Sequence, residues 1–145
     1  MVNHWIIRIE YGKNFTASKD QFWAVNRQRN NKKCLTMEPG DILWFLCNKN
    51  RPNKTDNEVL AIATFSNIVD RTGDTIEQIL NRDKLQGWLP TKTGTNPWYL
   101  ELHYKTKINT IPNNIKIRSN YQDAVIPSYR LPNYDLPNIY TALII

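Results

Sequence analysis

Apolar residues in this chain gather in short blocks that either alternate with polar residues or run unbroken, and turn signals separate the blocks. Such patterning favours strands over long helices. Trp5-Ile6-Ile7-Arg8-Ile9 opens the series, and its density of β-branched residues predicts a strand. Tyr11-Gly12-Lys13-Asn14 breaks it. Residues 18–29 are mixed and predict one short helix capped by Ser18. Glu38-Pro39-Gly40-Asp41 is a turn signal leading into Ile42-Leu43-Trp44-Phe45-Leu46-Cys47, a run suited to a strand buried on both faces or central in a barrel. The polar stretch 48–58 predicts an exposed hairpin loop, and Val59 to Phe65 the next strand.

From Asp74 to Leu85, apolar residues fall at Ile76, Ile79, Leu80 and Leu85, which predicts an amphipathic helix with Asp74 as its N-cap. Residues 87–97 read as a loop holding Trp88. In the block 98–105, Trp98, Leu100, Leu102 and Tyr104 share one face of a strand, and Tyr99, Glu101, His103 and Lys105 share the other. Residues 107–118 predict a further strand around Pro112-Asn113-Asn114. The tail from Pro127 ends in Ala142-Leu143-Ile144-Ile145 and is expected to be extended or short-helical and to pack back on the body. Five or six strands with two helical pieces give an α+β fold, a small and mainly antiparallel β-barrel with a few helices. The 145 residues support one domain with one core, carrying a Pro- and Tyr-rich C-terminal segment from about residue 119.

The apolar runs are too short to span a bilayer, and the first residues lack the order of a signal peptide, so an intracellular protein, cytoplasmic or nuclear, is expected. The heavy use of Asn, Ile and Lys is the bias of an AT-rich coding genome, as in some large DNA viruses, which extends that expectation to a virus-infected host cell. Cys34 and Cys47 are expected as buried small hydrophobes. The net charge of +6 suits a polyanion partner, although a solvated basic face would give the same number. His4 and His103 sit in no metal-ligand spacing, and the chain has neither a phosphate-cradling glycine loop nor a Gly-x-Ser-x-Gly elbow. The expectation is a binding module rather than an enzyme, with no catalytic residue, metal or cofactor.

Tryptophan changes the picture, with five in the chain. Trp5, Trp44 and Trp98 fall on strand candidates, where core packing is expected. Trp23 and Trp88 fall outside the strong strands, among polar neighbours. Rings beside cations are platforms for nucleobases, worth about 1–3 kcal/mol per stacked base, and two facing rings would clamp a flipped base. The same rings could instead anchor loops to the core. The basic stretches around Arg27, Arg29, Lys32 and Lys33, around Lys49 and Arg51, and at Lys105 and Lys107 would hold phosphates and make binding salt-dependent.

The order of pieces resembles the PUA-like superfamily, in particular its YTH and EVE groups. Trp5 to Ile9 resembles their opening strand. Phe22-Trp23-Ala24-Val25-Asn26 with Asn30-Asn31-Lys32-Lys33-Cys34-Leu35 resembles the YTH segment that carries an aromatic-cage tryptophan. Pro39-Gly40-Asp41-Ile42-Leu43-Trp44-Phe45 resembles the EVE pattern of Gly-Asp before an apolar strand, and Ala61 to Phe65 the strand after it. Trp98 to Leu102 and Ile108 to Ile117 resemble the late strands, so the likeness covers roughly residues 4–118. It implies binding of RNA carrying N6-methyladenine. Trp23 would be the first cage wall, Trp88 the second and Leu89 the third. Ala24, Val25 and Asn26 would give contacts beside the base, and Asn14 would read its edge. The chain departs from YTH sequences in having Ala and Val after Trp23, and its tail has no counterpart. Nucleic acid is therefore the expected partner, RNA ahead of DNA, with no membrane. Two alternatives stay open: a protein-interaction module using the C-terminal segment, and an ASCH-like RNA-processing enzyme built on Lys33, Glu101 or His103.

Overall fold

In the computed structural model the chain is described over residues 2–9, 12–26, 33–47, 56–88, 100–109, 111–112, 115–118 and 123–144. The elements in order are β1 (His4–Ile9), α1 (Gly12–Ala17), β2 (Phe22–Val25), β3 (Ile42–Cys47), β4 (Asp56–Asp70), α2 (Ile76–Gln86), β5 (Leu100–Ile108), β6 (Lys116–Arg118), β7 (Val125–Pro127), a 3-10 turn (Ser128–Arg130) and α3 (Leu136–Ile144). They build an α+β fold on one mixed sheet of order β2-β5-β4-β3-β1-β7, with β6 on β4. The β1–β3 pairing is parallel and the others are antiparallel. Among the described residues β2 and β7 end the sheet without pairing to each other, so the expected barrel closure is not seen there.

The unbroken run of β3 has the consequence its composition predicts. Leu43 and Phe45 join one core with Trp5, Ile7, Phe15, Leu102 and Tyr104, while Ile42, Trp44 and Leu46 join a second on the opposite face. Leu136, Ile139, Tyr140 and Leu143 of the tail cover that second face, so the tail does pack back on the body. There Trp44 Nε1 donates to His4 Nδ1 at 2.9 Å, which requires the histidine proton on Nε2. Burial holds the His4 pKa below its usual value against the charges of Asp41 and Asp135. Both cysteines are buried and neither forms a disulfide among the described residues, and burial pushes the Cys34 thiol up to about 12.

The turn before β3 has Pro39 at its second position and Gly40 at its third with φ of 98°, and Asp41 N donates to Glu38 O at 3.0 Å. A type II turn needs a positive φ at that third position. The Asp41 carboxylate accepts from Asn3 N, Trp5 Nε1 and Glu38 N, tying the turn to β1. β4 is longer than its apolar core predicts. It pairs β3 along its first part and β5 along its second, with register shifts that let it bend between them. Its first residues, Asp56 to Glu58, take the end of the expected hairpin loop into the sheet against β6.

Three sequence expectations about helices are corrected. The helix expected over 18–29 with Ser18 as cap is absent from its described part: α1 comes earlier, and Phe22 to Val25 form a strand because their apolar side chains pair with β5. The N-cap of α2 is Thr75, not Asp74, in a reciprocal capping box with Gln78. Nor does α2 bury the expected apolar face. Ile79 is buried, while Ile76, Leu80 and Leu85 are exposed. The helix docks instead through the polar side chains of Arg82 and Gln86. Among the described residues no helix is long and apolar enough to cross a membrane.

Candidate functional site

β2 is an edge strand, and its alternation sends Trp23 and Val25 to the first core while Phe22 takes the other face, opposite His103 in register. Trp88 arrives at this edge from the end of α2. Gly87, with φ of 87°, closes the helix: Gly87 N donates to Lys84 O and Trp88 N to Asp83 O, both at 3.0 Å. This is a Schellman motif, whose left-handed residue is normally glycine. A Cβ at position 87 would also meet Ala17 O at 3.2 Å.

The reversal lays Trp88 over the strand edge, where its ring meets both faces: 5.5 Å from Phe22 and 5.1 Å from Trp23, each close to edge-on. Trp88 Nε1 donates to Ser18 Oγ at 2.7 Å, and Ser18 Oγ donates to Asn14 O at 2.9 Å. Trp23 also meets Phe15 of α1 edge-on at 5.8 Å. Trp23 and Trp88, far apart in sequence, thus meet in one corner, to which Asn14 contributes its carbonyl through Ser18. Both tryptophans are half-buried.

The two rings do not stand apart and face each other, the arrangement that would clamp a flipped base. A base between two rings needs about 7 Å, twice the carbon contact distance of about 3.5 Å. At 5.1 Å and 64° the tryptophans touch each other and form a corner, not a slot. A ligand group would stack on one ring and meet the other at an angle. The peptide of Ala24 faces away from β5 by strand alternation and that of Val25 faces toward it, so Ala24 presents its backbone to the corner edge. Asn26 follows, half-buried. Leu89, Arg27, Arg29, Lys32, Lys49 and Arg51 lie outside the described residues.

The remaining cations divide. Lys105 is exposed, and Lys107 sits with Nζ 4.5 Å from the Phe15 ring centroid, next to the corner. Lys33 is elsewhere. Its Nζ donates to Asp123 Oδ2 and Val125 O, both at 2.9 Å, beside β7 at the far end of the strand order, and Arg130 shares Asp123. A cavity of about 440 Å³ opens on that flank among Asn3, Trp5, Lys33, Ser128, Tyr129 and Arg130. We weight the tryptophan corner above it, because the cavity's two cations already share a carboxylate.

Behind the corner lies a charged cluster that the strand alternation half revealed. Glu101, buried on the outer face of β5, accepts from Arg82 through Nε and through Nη2 at 2.7 Å, and lies 3.5 Å from Arg71 Nε and 3.0 Å from His103 Nε2. His103 stacks on Phe22 and Arg82 sits over the same ring. Of the residues in the enzyme alternative, Glu101 and His103 thus meet, but Lys33 sits across the sheet. What sequence reasoning missed was Arg82, whose position one turn after Ile79 is visible only once the docked face of α2 is known.

Burial and the Glu101 charge push Asp83 up to about 6, against the pull of Arg82. A raised acid favours the protonated folded state, so its contribution to stability is complete below the unfolded aspartate value and is lost as pH rises through about 6. Because the group is partly solvated, Asp83→Asn is expected to stabilise by only about 1 kcal/mol at about pH 7.5 and by almost nothing at about pH 4. Urea midpoints at the two pH values measure this.

The fold and corner define an α+β protein with an aromatic cluster at one strand edge. No family model matches the chain, and no curated protein does. Among solved structures it is similar to a hypothetical protein from Leishmania major, at 18% identity and a TM-score of 0.42, over 79% of this chain and 71% of that one. That likeness carries no functional weight.

Proposed function

We propose that this chain is a nucleic-acid-binding module that takes a modified base, N6-methyladenine or a base of like chemistry, into the corner of Trp23 and Trp88, with RNA ahead of DNA as the partner. One observation carries the reading: Trp23 and Trp88 meet in a half-buried corner at the β2 edge, and Ser18 ties Trp88 to the Asn14 carbonyl of α1. A methylated exocyclic amine is apolar and weakly electron-poor, so it gains from desolvation and from contact with electron-rich rings set at an angle. Asn26 and the Ala24 peptide supply polar groups for the base edge, whereas Asn14 is buried with its carbonyl held by Ser18. The basic residues, Lys105 and Lys107 among them, hold phosphates. In this reading the mixed sheet is of PUA-like type.

The test is a tryptophan-fluorescence titration with matched oligonucleotides, plain and N6-methylated, as RNA and as DNA, on the native chain and on Trp23→Ala. The methylated RNA is expected to bind about tenfold more tightly than the plain one, within the 1–3 kcal/mol that one methyl gives, and Trp23→Ala to erase the difference. Equal, salt-sensitive binding to all four would reduce the protein to a general polyanion binder. Absence of binding to any would end the reading.

A further inference from the structure

We infer that Lys107 is the anchor for the phosphate adjoining the bound base, and that a strained bulge at Thr106 aims it. The inference rests on the reading of the corner as a base site and narrows its ligand to a nucleotide.

In β5, Leu102 and Tyr104 face the core and Lys105 faces solvent. Strict alternation would turn Thr106 inward and Lys107 outward. The pairing with β4 slips instead: Ile62 pairs with Ile108 and Thr64 with Lys105, so β5 has one residue more than β4 between them. Thr106 takes up the excess with φ of 54°, the one positive φ outside glycine among the described residues. A left-handed conformation costs a side-chain-bearing residue about 1–2 kcal/mol, and a β-branched one is an outlier there. What the strain produces is a redirected side chain. Thr106 ends exposed, and Lys107 is turned toward α1, its amine over Phe15. Bulges beside functional sites commonly re-aim a side chain in this way.

Among the described residues no carboxylate pairs with Lys107, whereas Arg82, over Phe22 in the matching position outside the sheet, has Glu101. Burial draws the Lys107 pKa below its ordinary value. A partly desolvated cation against a ring gains from an anion that completes its shell. The ring distances of 5.8 Å and 4.5 Å bound the amine to within about 10 Å of the Trp23 centroid, a gap that one nucleotide spans from base to phosphate.

The experiment compares N6-methyladenosine with its 3′- and 5′-monophosphates by tryptophan fluorescence, on the native chain, on Lys107→Gln and on the control Lys84→Gln, with thermal melts to verify folding. One monophosphate should bind the native chain and Lys84→Gln about tenfold more tightly than the nucleoside, a margin that a charge-assisted hydrogen bond supplies. Lys107→Gln should close the gap by weakening the monophosphate. Equal binding of nucleoside and monophosphates to the native chain, or a gap that survives Lys107→Gln, overturns the inference and leaves the base site standing. If neither nucleoside nor nucleotide binds, the base site itself falls. The anchor is then judged with inorganic pyrophosphate: a saturable shift of the Lys107 side-chain amine by NMR supports it, and no shift, or one no larger than at Lys84, overturns it.

Discussion

Glu101→Gln is expected to lower stability by about 2–3 kcal/mol at about pH 7, although it changes neither shape nor volume. Removing one partner of a buried ion pair costs about 3–5 kcal/mol, because the other charge is left without compensation. Here the partners reach water, with Arg82 34% and Arg71 29% exposed, so hydration returns part of the loss. Burial acts to raise the Glu101 pKa, but the hydrogen bonds from Arg82 and His103 and the charges of Arg82 and Arg71 outweigh it, and the carboxyl is held below its ordinary value. A depressed acid contributes above its unfolded pKa, about 4.3, and loses that contribution as pH falls through the folded value. The gap between native and variant urea midpoints should therefore be wide at neutral pH and narrow in strong acid. Coincident midpoints at neutral pH would show that the cluster adds no net stability.

Gln86→Ala should cost about 3 kcal/mol. The side chain is 1% exposed and behaves as one residue of a missing strand. Its Oε1 accepts from Asp20 N at 2.6 Å, while Nε2 donates to Asp20 O at 2.8 Å and to Phe22 O at 3.1 Å. Truncation removes three hydrogen bonds, leaving Asp20 N and Phe22 O without partners and Asp20 O with Phe22 N alone, each lost bond worth about 1 kcal/mol or more where water is slow to replace it. It also uncovers a strand edge, and uncovered edges pair with other chains. A lowered melting temperature together with concentration-dependent light scattering is the expected signature. A melting temperature unchanged from the native chain would mean that water substitutes fully for the amide.

Where burial alone decides, sequence reading succeeded. The β3 run reads as buried on both faces because a strand with no polar position has no face for water, and α3 supplies the cover that this demands. The face shared by Leu100, Leu102 and Tyr104 followed from period-two alternation. Reading failed where a polar side chain does the work of backbone or core. Gln86 and Arg82 look like ordinary exposed helix residues, so α2 was assigned to its apolar residues, most of which face water. Trp23 and Trp88 were singled out by type and neighbours, and they do meet. Their mutual angle depends on the Schellman turn and the Ser18 bond, which no local pattern specifies. The bulge at Thr106 was likewise illegible, since threonine is a favoured strand residue and nothing local warns of a left-handed backbone.

The parallel pairing of β1 with β3 bears on the order in which the molecule assembles. Parallel neighbours need a long crossover, and here residues 10–41 provide it, carrying α1 and β2 to the opposite end of the sheet before the chain returns. The β3–β4 ladder joins strands parted only by residues 48–55, so it closes over a short loop and can form early, whereas residues 71–99, with α2 among them, part β4 from β5. The tryptophan corner draws one ring from inside the crossover and the other from beyond β4, and it exists only after β2 has found β5. The contact between Trp23 and Trp88 should therefore be the last feature recovered on refolding, appearing after the bulk of the secondary structure.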